Sequence, residues 1–165
     1  MTLIELNACD AHRFVDALGW VFEGSPWVAE RAWKHGPFAS VTHLHSVMVA
    51  EVATAAPNEQ LALLAAHPDL GTRAKMTESS TKEQSGAGLD QLTPAELERL
   101  QRLNAAYRQR FRFPFLFAVK GSTKHDVLAA LERRLAAARD DELEEALRQD
   151  ARIARFRLDE AISLP

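Results

Sequence analysis

The sequence predicts an all-α protein that folds as a single compact domain of about eight or nine helices over residues 1–165. Three observations support this fold class. Apolar residues recur at intervals of three and four along most of the 165-residue chain, which is the spacing of one helix face. No segment alternates apolar and polar residues as a half-buried strand would. The connections are short and carry helix caps or breakers, as in compact domains.

The first predicted helix has apolar residues of one face within 14–22. Asn7 or Asp10 would cap its start, and Gly24 would end it. The pair Ser25-Pro26 is typical of the N-cap and first position of a second helix, because proline needs no hydrogen-bond partner there.

Two further helices are predicted before the middle of the chain. Ser40 would cap a helix whose apolar face lies within 41–52. The pair Pro57-Asn58 is expected to separate this helix from the next one, which is predicted over Glu59 to His67. That helix is expected to stop near its last residue, because a residue that precedes proline, here Pro68, is held out of the α region.

The second half of the chain begins with a predicted loop over Gly71 to Ser79 and a short helix over Ser80 to Gly86. Residues Thr93 to Glu96 form a capping box with proline at the first helical position, the strongest helix start in the sequence. The apolar run Phe115 to Val119 is short for a helix and is compatible with a strand-like segment. Another helix is predicted to start at Ser122 or Thr123. The last helix is predicted to follow Asp140-Asp141, which would either break the preceding helix or cap the last one.

The composition, 47% hydrophobic and 26% charged, is that of an ordinary soluble globular domain. The net charge of -3 gives no basic face of the kind that nucleic-acid binding needs. No signal peptide is visible, and the most apolar stretch is interrupted by Glu51, so no membrane helix is expected. The lone Cys9 fits a reducing compartment. We therefore expect a cytoplasmic protein with no nucleic-acid or membrane partner.

The stretch that begins at His67 carries polar groups between the predicted helices. At a helix end, the imidazole of His67 can face a cavity instead of being covered by the next helical turn. Further along, Ser79, Ser80, Glu83 and Gln84 place hydroxyl, carboxylate and amide groups at helical spacing. Such groups can bind and protonate a small polar molecule, which makes this stretch the candidate functional site.

Each candidate also has a purely structural interpretation. His67 could be a helix C-terminal histidine favoured by the helix dipole. The pattern Ser80-x-x-Glu83 fits a capping box, in which the carboxylate bonds to the backbone at the start of a helix. Arg157, with its neighbours Arg152 and Arg155, could belong to a solvated helix face. The residues by themselves therefore predict a helical domain with one polar loop, and leave its role open.

Other chemistries have no support in the sequence. His43 and His45 are two residues apart and cannot share a helix face. Because there is also no HExxH motif and no cysteine pair, no metal site is predicted. A G-x-S-x-G motif, a P-loop and a dinucleotide fingerprint are absent as well. Cys9 is expected to be a small buried residue and not a nucleophile.

Several motifs together indicate a known family. They are HPDLG, S-x-x-E-Q-x-G-A-G-L, L-N-x-x-Y-x-x-x-F-x-F-P-F and LERRL, with LGWVFEGSPWVAERAW and EQLALLAAHPDL nearer the N-terminus. Through these motifs the chain resembles, over essentially its whole length, the OHCU decarboxylases. That family acts on 2-oxo-4-hydroxy-4-carboxy-5-ureidoimidazoline (OHCU) in urate breakdown. The resemblance implies an all-α enzyme that needs no cofactor and no metal and that forms a homodimer.

The resemblance also implies a set of site residues. His67 would be the catalytic histidine, Glu83 would act with it, and Pro68 would shape the pocket. The other substrate-binding residues implied are Ser80, Thr81, Lys82, Gln84, Phe117, Ala118, Val119, Lys120, Gly121 and Arg157. The loop after HPDLG differs from that of other members, so the contacts of Thr72 and Arg73 stay open.

The implied reaction is loss of CO2 from OHCU to give (S)-allantoin, with the ring imine of the substrate accepting the electron pair. His67 would handle the substrate hydroxyl and the proton transfers, and Glu83 would orient the imidazole or the ureido group. Two alternatives remain. One is a related lyase of the same fold that acts on another ureido or hydantoin acid. The other is a non-enzymatic helical interaction domain.

Overall fold

The computed structural model describes residues 1–71 and 77–164. Within these ranges the chain forms nine α-helices and no β-strand, which confirms the predicted all-α class. No helix in the described ranges is long and apolar enough to span a membrane. The helices are α1 (Leu3–Asn7), α2 (Ala11–Leu18), α3 (Trp27–Trp33), α4 (Val41–Ala53), α5 (Pro57–Ala65), α6 (Glu78–Gly86), α7 (Pro94–Phe111), α8 (Lys124–Arg134) and α9 (Arg139–Ala161).

The chain divides into two compact units. The first unit combines residues 1–66 with the part of α9 from Asp150 onward. It contains α1 to α5, and an isolated parallel bridge joins Thr2 to Ser163 near the two ends of the chain. Its fully buried apolar side chains are Phe14, Val21, Val28, Ala32, Leu44, Met48, Leu63, Leu64, Ala154 and Leu158.

The second unit runs from His67 to Gln149 and contains α6, α7, α8 and the first part of α9. Its core holds an aromatic cluster around Tyr107, whose ring centroid lies 4.6 Å from that of Phe111 and 5.4 Å from that of Phe115. The cluster consists of Tyr107, Phe111, Phe113 and Phe115, all of which are buried. The F-x-F-P-F motif is therefore a core element of this unit.

The starts of four helices, α2, α4, α7 and α8, agree with the predicted caps. The side chain of Asp10 accepts a hydrogen bond from the backbone N–H of the third residue of α2, at 2.9 Å, and Ser40 caps α4 in the same way at 3.0 Å. Thr93 forms the predicted reciprocal capping box with Glu96 at the start of α7. Thr123, one of the two predicted residues, caps α8. Each cap satisfies a backbone donor that the first helical turn leaves without a partner.

Four predictions for the first unit are wrong. Helix α1 was not expected, and α2 ends at Leu18 instead of continuing to Gly24. Val21 and Phe22 lie beyond the end of the helix but are buried. Their spacing from Phe14 and Leu18 therefore resembled that of one helix face, although these two residues are not helical. Pro57 is the first residue of α5 and not part of a break between helices, because a proline at the first helical position loses no hydrogen bond. The second helix starts one residue later than expected, with Pro26 as its N-cap.

Two boundaries in the second unit also differ from prediction. Helix α6 begins at Glu78, within the predicted loop, with Thr77 as its N-cap. Asp140-Asp141 neither breaks nor caps, since both residues lie in the first turn of α9, where carboxylates interact favourably with the helix dipole. The run Phe115 to Val119 is non-helical, and it pairs with no strand in the part of the chain that the structure describes.

Candidate functional site

His67 follows directly on the end of a helix, as the proline after it predicts. Helix α5 ends at Ala65, and the N–H of Ala66 closes its last turn on the carbonyl of Ala62 at 3.1 Å. His67 comes next and is only 7% exposed, whereas Pro68 is half-buried. The imidazole is therefore released from the helix and yet is removed from bulk water, an environment suited to a group that exchanges protons with a bound molecule.

Helix α7 holds the two residues that follow Pro68. The Nδ2 of Asn104 donates to the carbonyl oxygen of Leu70 at 3.0 Å, and this bond is buried. One turn further along α7, the Nη2 of Arg108 lies 2.9 Å from Oδ1 of Asp69. Residues four apart lie on the same face of a helix, so both side chains reach the same segment. The HPDLG motif is thereby fixed to a long, capped helix.

Helix α6 holds the end of the same segment. The backbone N–H of Gly71 donates to Oε1 of Gln84 at 2.9 Å. Gly71 has φ +69°, and a Cβ built there would lie 2.3 Å from Cδ2 of Leu100, so only glycine fits without strain. The bond to Gln84 brings the S-x-x-E-Q motif against the segment that begins at His67.

The buried side of α6 is polar. Ser80 and Gln84, four residues apart, are 4% and 5% exposed, and they are the buried residues of this helix. Glu83 is half-buried beside them, while Thr81 and Lys82 are exposed. A helix usually buries apolar residues against its neighbours. The buried side of α6 thus presents a hydroxyl and an amide to the interior of this unit.

The capping interpretation of Ser80 and Glu83 is wrong. Thr77 is the N-cap of α6, and its Oγ1 accepts the N–H of Ser80 at 3.2 Å. Ser80 therefore lies inside the helix, at its third position, and its N–H is not the cap donor that a box with Glu83 would need. Of the preceding loop, Thr72 and Arg73 lie outside the described residues, so their contacts stay open.

The segment Phe117 to Gly121 lies after the aromatic core. Ala118 and Val119 are buried, Phe117 is half-buried, and Lys120 and Gly121 are exposed. The N–H of Ala118 donates to Oε1 of a buried glutamine of α9 at 2.9 Å. The carbonyl of Val119 accepts the N–H of Ser122 at 2.9 Å, which closes a turn around Gly121, whose φ is +79°.

A buried network that the sequence analysis missed supports this segment. The guanidinium of Arg134 donates to the carboxylate of Glu142 at 2.8 Å and to the carbonyl of Leu116 at 2.6 Å. The hydroxyl of Tyr107 donates to the same Glu142 at 2.5 Å. Burial raises the pKa of Tyr107, and its bond to Glu142 raises it further, so the hydroxyl stays protonated. Arg134 lies in the LERRL motif, but charged residues are common on exposed helix faces, so the sequence did not single it out.

Arg157 lies in the first unit and is 2% exposed, so it does not belong to a solvated helix face. Its Nη1 lies 2.8 Å from Oε2 of Glu23, which is also buried. Arg155 instead pairs with Asp159 at the surface, at 3.0 Å, and Arg152 is exposed. Among the three arginines that compete for the predicted role, Arg157 is the buried one.

The described residues contain no group of three or more histidine, cysteine, aspartate or glutamate side chains that could hold a metal ion. The polar groups placed near one another in the second unit are instead hydroxyl, amide, carboxylate and backbone groups. Such a set is suited to hydrogen bonding with an uncharged polar ring and to proton transfer through His67.

Comparisons with known proteins agree with these features. Residues 7–159 match the family model described as OHCU decarboxylase. The 2-oxo-4-hydroxy-4-carboxy-5-ureidoimidazoline decarboxylase of Haloferax volcanii is 47% identical over 163 residues, which cover 99% of this chain and 97% of the relative. The protein of the same name from Halalkalicoccus jeotgali is 46% identical over 160 residues, covering 97% and 91%.

A solved structure is similar as well. The crystal structure of an (S)-allantoin synthase superimposes with a TM-score of 0.82 at 35% identity, and the match covers 98% of this chain. The chain spans 54%, or about half, of that longer protein. The family model and these two relatives cover nearly all of the sequence, including HPDLG and the polar helix α6. The chain belongs to the OHCU decarboxylase family, and is accordingly a carboxy-lyase.

Proposed function

We propose that this protein decarboxylates OHCU to (S)-allantoin in urate degradation. The observation that carries the proposal is the buried polar face of α6, which meets the segment following the buried His67 through the bond from Gly71 to Gln84. Two relatives that match nearly the whole chain carry the name of this decarboxylase, and a similar structure is named (S)-allantoin synthase.

The chemistry explains why the site needs a proton carrier. The bond between the substrate carboxylate and its ring carbon breaks, CO2 leaves, and the electron pair passes into the adjacent ring imine. The ring nitrogen takes a proton, and the resulting enol then takes a proton on its ring carbon while its hydroxyl loses one, which gives the carbonyl of allantoin. Since the substrate itself provides the electron sink, the reaction calls for no cofactor. Protonation on one face of the enol would give the (S) product.

His67 is the group proposed to move protons, because an imidazole can both accept and donate a proton. It would take the proton of the substrate hydroxyl and supply a proton to the enol. Glu83, half-buried on α6 beside the two buried polar residues, is proposed to orient the imidazole or the ureido group. Pro68 fixes the backbone next to the imidazole.

Binding of the substrate is assigned to groups that match a ureide edge, which presents N–H donors and carbonyl acceptors side by side. Ser80 and Gln84 supply a buried hydroxyl and a buried amide. The exposed Thr81 and Lys82 would lie at the rim. The backbone of Phe117 to Gly121 is proposed to complete the binding surface. The role of Arg157 rests on the resemblance alone.

A homodimer and a cytoplasmic location belong to the proposal too. The dimer is supported by the resemblance, and the compartment by the single cysteine, Cys9, which is free. Light scattering of the purified protein tests the dimer: a mass of one chain at micromolar concentration would contradict it.

A substrate panel tests the proposed reaction against a related lyase of the same fold. Freshly generated OHCU and a set of other ureido and hydantoin acids are incubated with the protein, and CO2 release is measured for each. We expect catalysis with OHCU and rates close to the uncatalysed ones for the other acids. Faster release from another acid would assign the site to the related lyase. No catalysis with any acid would favour the interaction domain, against which the buried His67 and the buried polar face of α6 already count.

A further inference from the structure

We propose that Gln149 is a positioning residue of the decarboxylation site, which sets the orientation of the backbone that binds the substrate. Gln149 lies on α9 and is 7% exposed. Its Oε1 accepts the N–H of Ala118, 31 residues away in sequence, at 2.9 Å. The inference rests on the proposed function, because Phe117 to Gly121 is the segment assigned to substrate binding.

The segment that Gln149 holds is extended. Phe115 and Phe117 are two residues apart, and their rings are stacked with centroids 6.0 Å apart and an interplanar angle of 13°. Side chains two positions apart lie on the same side of the chain only when the backbone is extended. The buried Pro114 begins this segment and holds Phe113 out of the helical region.

In an extended segment the backbone groups of successive residues point to opposite edges. The carbonyl of Leu116 and the N–H of Ala118 therefore belong to one edge, and both are bound by side chains of the helices that follow. Arg134 donates to the carbonyl of Leu116 at 2.6 Å, and Gln149 accepts the N–H of Ala118. The N–H groups of Phe117 and Val119 are thereby turned to the opposite edge. We infer that this second edge binds the substrate, and that the N–H of Ala118 does not.

The amide of Gln149 has a defined direction. Its Nε2 donates to Oε1 of Glu145, one turn earlier on α9, at 2.8 Å. Oε2 of Glu145 pairs with Arg148 at the surface. Because the carboxylate of Glu145 can only accept, it fixes the amide with its oxygen toward Ala118. Arg134 also binds Glu142 in the core, so its removal would disturb more than this segment. Gln149 is therefore the better residue to substitute, because one of its two hydrogen bonds holds the segment and the other orients its own amide.

The test compares Gln149→Ala with a variant in which the amide and the carboxylate are exchanged, Gln149→Glu with Glu145→Gln. In the exchanged pair a carboxylate accepts the N–H of Ala118, and the new amide at position 145 donates to it, so both hydrogen bonds are kept. The single variant Gln149→Glu would set two carboxylates against each other. Steady-state kinetics with OHCU, the dissociation constant of (S)-allantoin and the melting temperature are measured for each.

We expect Gln149→Ala to raise KM for OHCU and Kd for (S)-allantoin by about tenfold, the loss that one buried hydrogen bond explains. We expect kcat to change less than about twofold and its pH profile to keep its shape, since His67 is untouched. The exchanged pair should restore KM to near the wild-type value. A folded Gln149→Ala protein with wild-type KM and Kd overturns the inference, and so does an exchanged pair that melts like the wild type but keeps the raised KM. If the wild-type protein does not accelerate OHCU decarboxylation, the proposed function itself fails, and the role of Gln149 in that reaction fails with it.

Discussion

Two buried amide side chains hold the backbone that follows His67. Asn104 holds the carbonyl of Leu70 and Gln84 holds the N–H of Gly71, at 3.0 Å and 2.9 Å. A buried backbone group without a partner is costly, so each side chain both satisfies and fixes the segment. At the scale of single residues, the amides of Asn104 and Gln84 thus fix the backbone at Leu70 and Gly71.

Gly71 gives a direct test of how tightly this segment is fixed. We expect Gly71→Ala to lower the free energy of unfolding by about 1–3 kcal/mol, because a side chain at φ +69° is strained and its Cβ would contact Leu100. The control is Gly86→Ala at the end of α6, where a Cβ meets nothing within 4 Å, and which should change the free energy of unfolding by less than about 1 kcal/mol. Urea denaturation measures both variants. Equal effects of the two substitutions would show that the backbone at Gly71 is not constrained.

Helix α6 shows what sequence reasoning can assign to an element and what it cannot. Thr77 and Ser80 are both good N-caps, and the predicted loop up to Ser79 favoured the later one. The choice decides the role of Glu83, which would belong to a capping box only if Ser80 were the N-cap, whereas the N-cap is Thr77. Local capping signals were sufficient at Ser40 and Thr93, which are the N-caps of α4 and α7.

Helix α7 provides a pH-dependent prediction. Glu96 belongs to the capping box of α7, and its Oε1 lies 2.7 Å from Nζ of Lys124. The hydrogen bond from Lys124, together with that from the backbone of Thr93, lowers the pKa of Glu96 from 4.5 to about 2. A carboxylate whose pKa is lower in the folded state stabilises the protein above its unfolded pKa. Its contribution is lost as the pH falls from about 4.5 toward 2.

We therefore expect Glu96→Gln to destabilise the protein near neutral pH, and the difference from wild type to shrink as the pH falls through this window. Denaturant titrations at a series of pH values measure that difference. Glu98→Gln, an exposed residue of the same helix, is the matched control. A difference for Glu96→Gln that stays constant down to pH 2 would contradict the assignment of the stabilisation to the charged pair.

At the scale of the whole molecule, helical periodicity and the motifs were sufficient for the all-α class and the family, which the helices and the relatives confirm. The single domain stays a prediction, since the chain divides into two units that are each compact. Sequence patterns could not predict pairs that are distant along the chain. Gln149 binds Ala118 across 31 residues, and Glu142 binds Tyr107 across 35. Only folding brings these residues together, and in the sequence Gln149 and Glu142 look like surface polar residues.

The central claim is that this chain catalyses decarboxylation of OHCU to (S)-allantoin with His67 as the proton carrier. The most direct measurement follows the circular dichroism of allantoin formed from freshly generated OHCU, with the wild-type protein and with His67→Asn. We predict (S)-allantoin from the wild type and a turnover lower by about 10²- to 10⁴-fold in a folded His67→Asn protein, the usual contribution of general acid–base catalysis. Racemic allantoin at the uncatalysed rate from the wild type, or unchanged turnover in the folded variant, would contradict the claim.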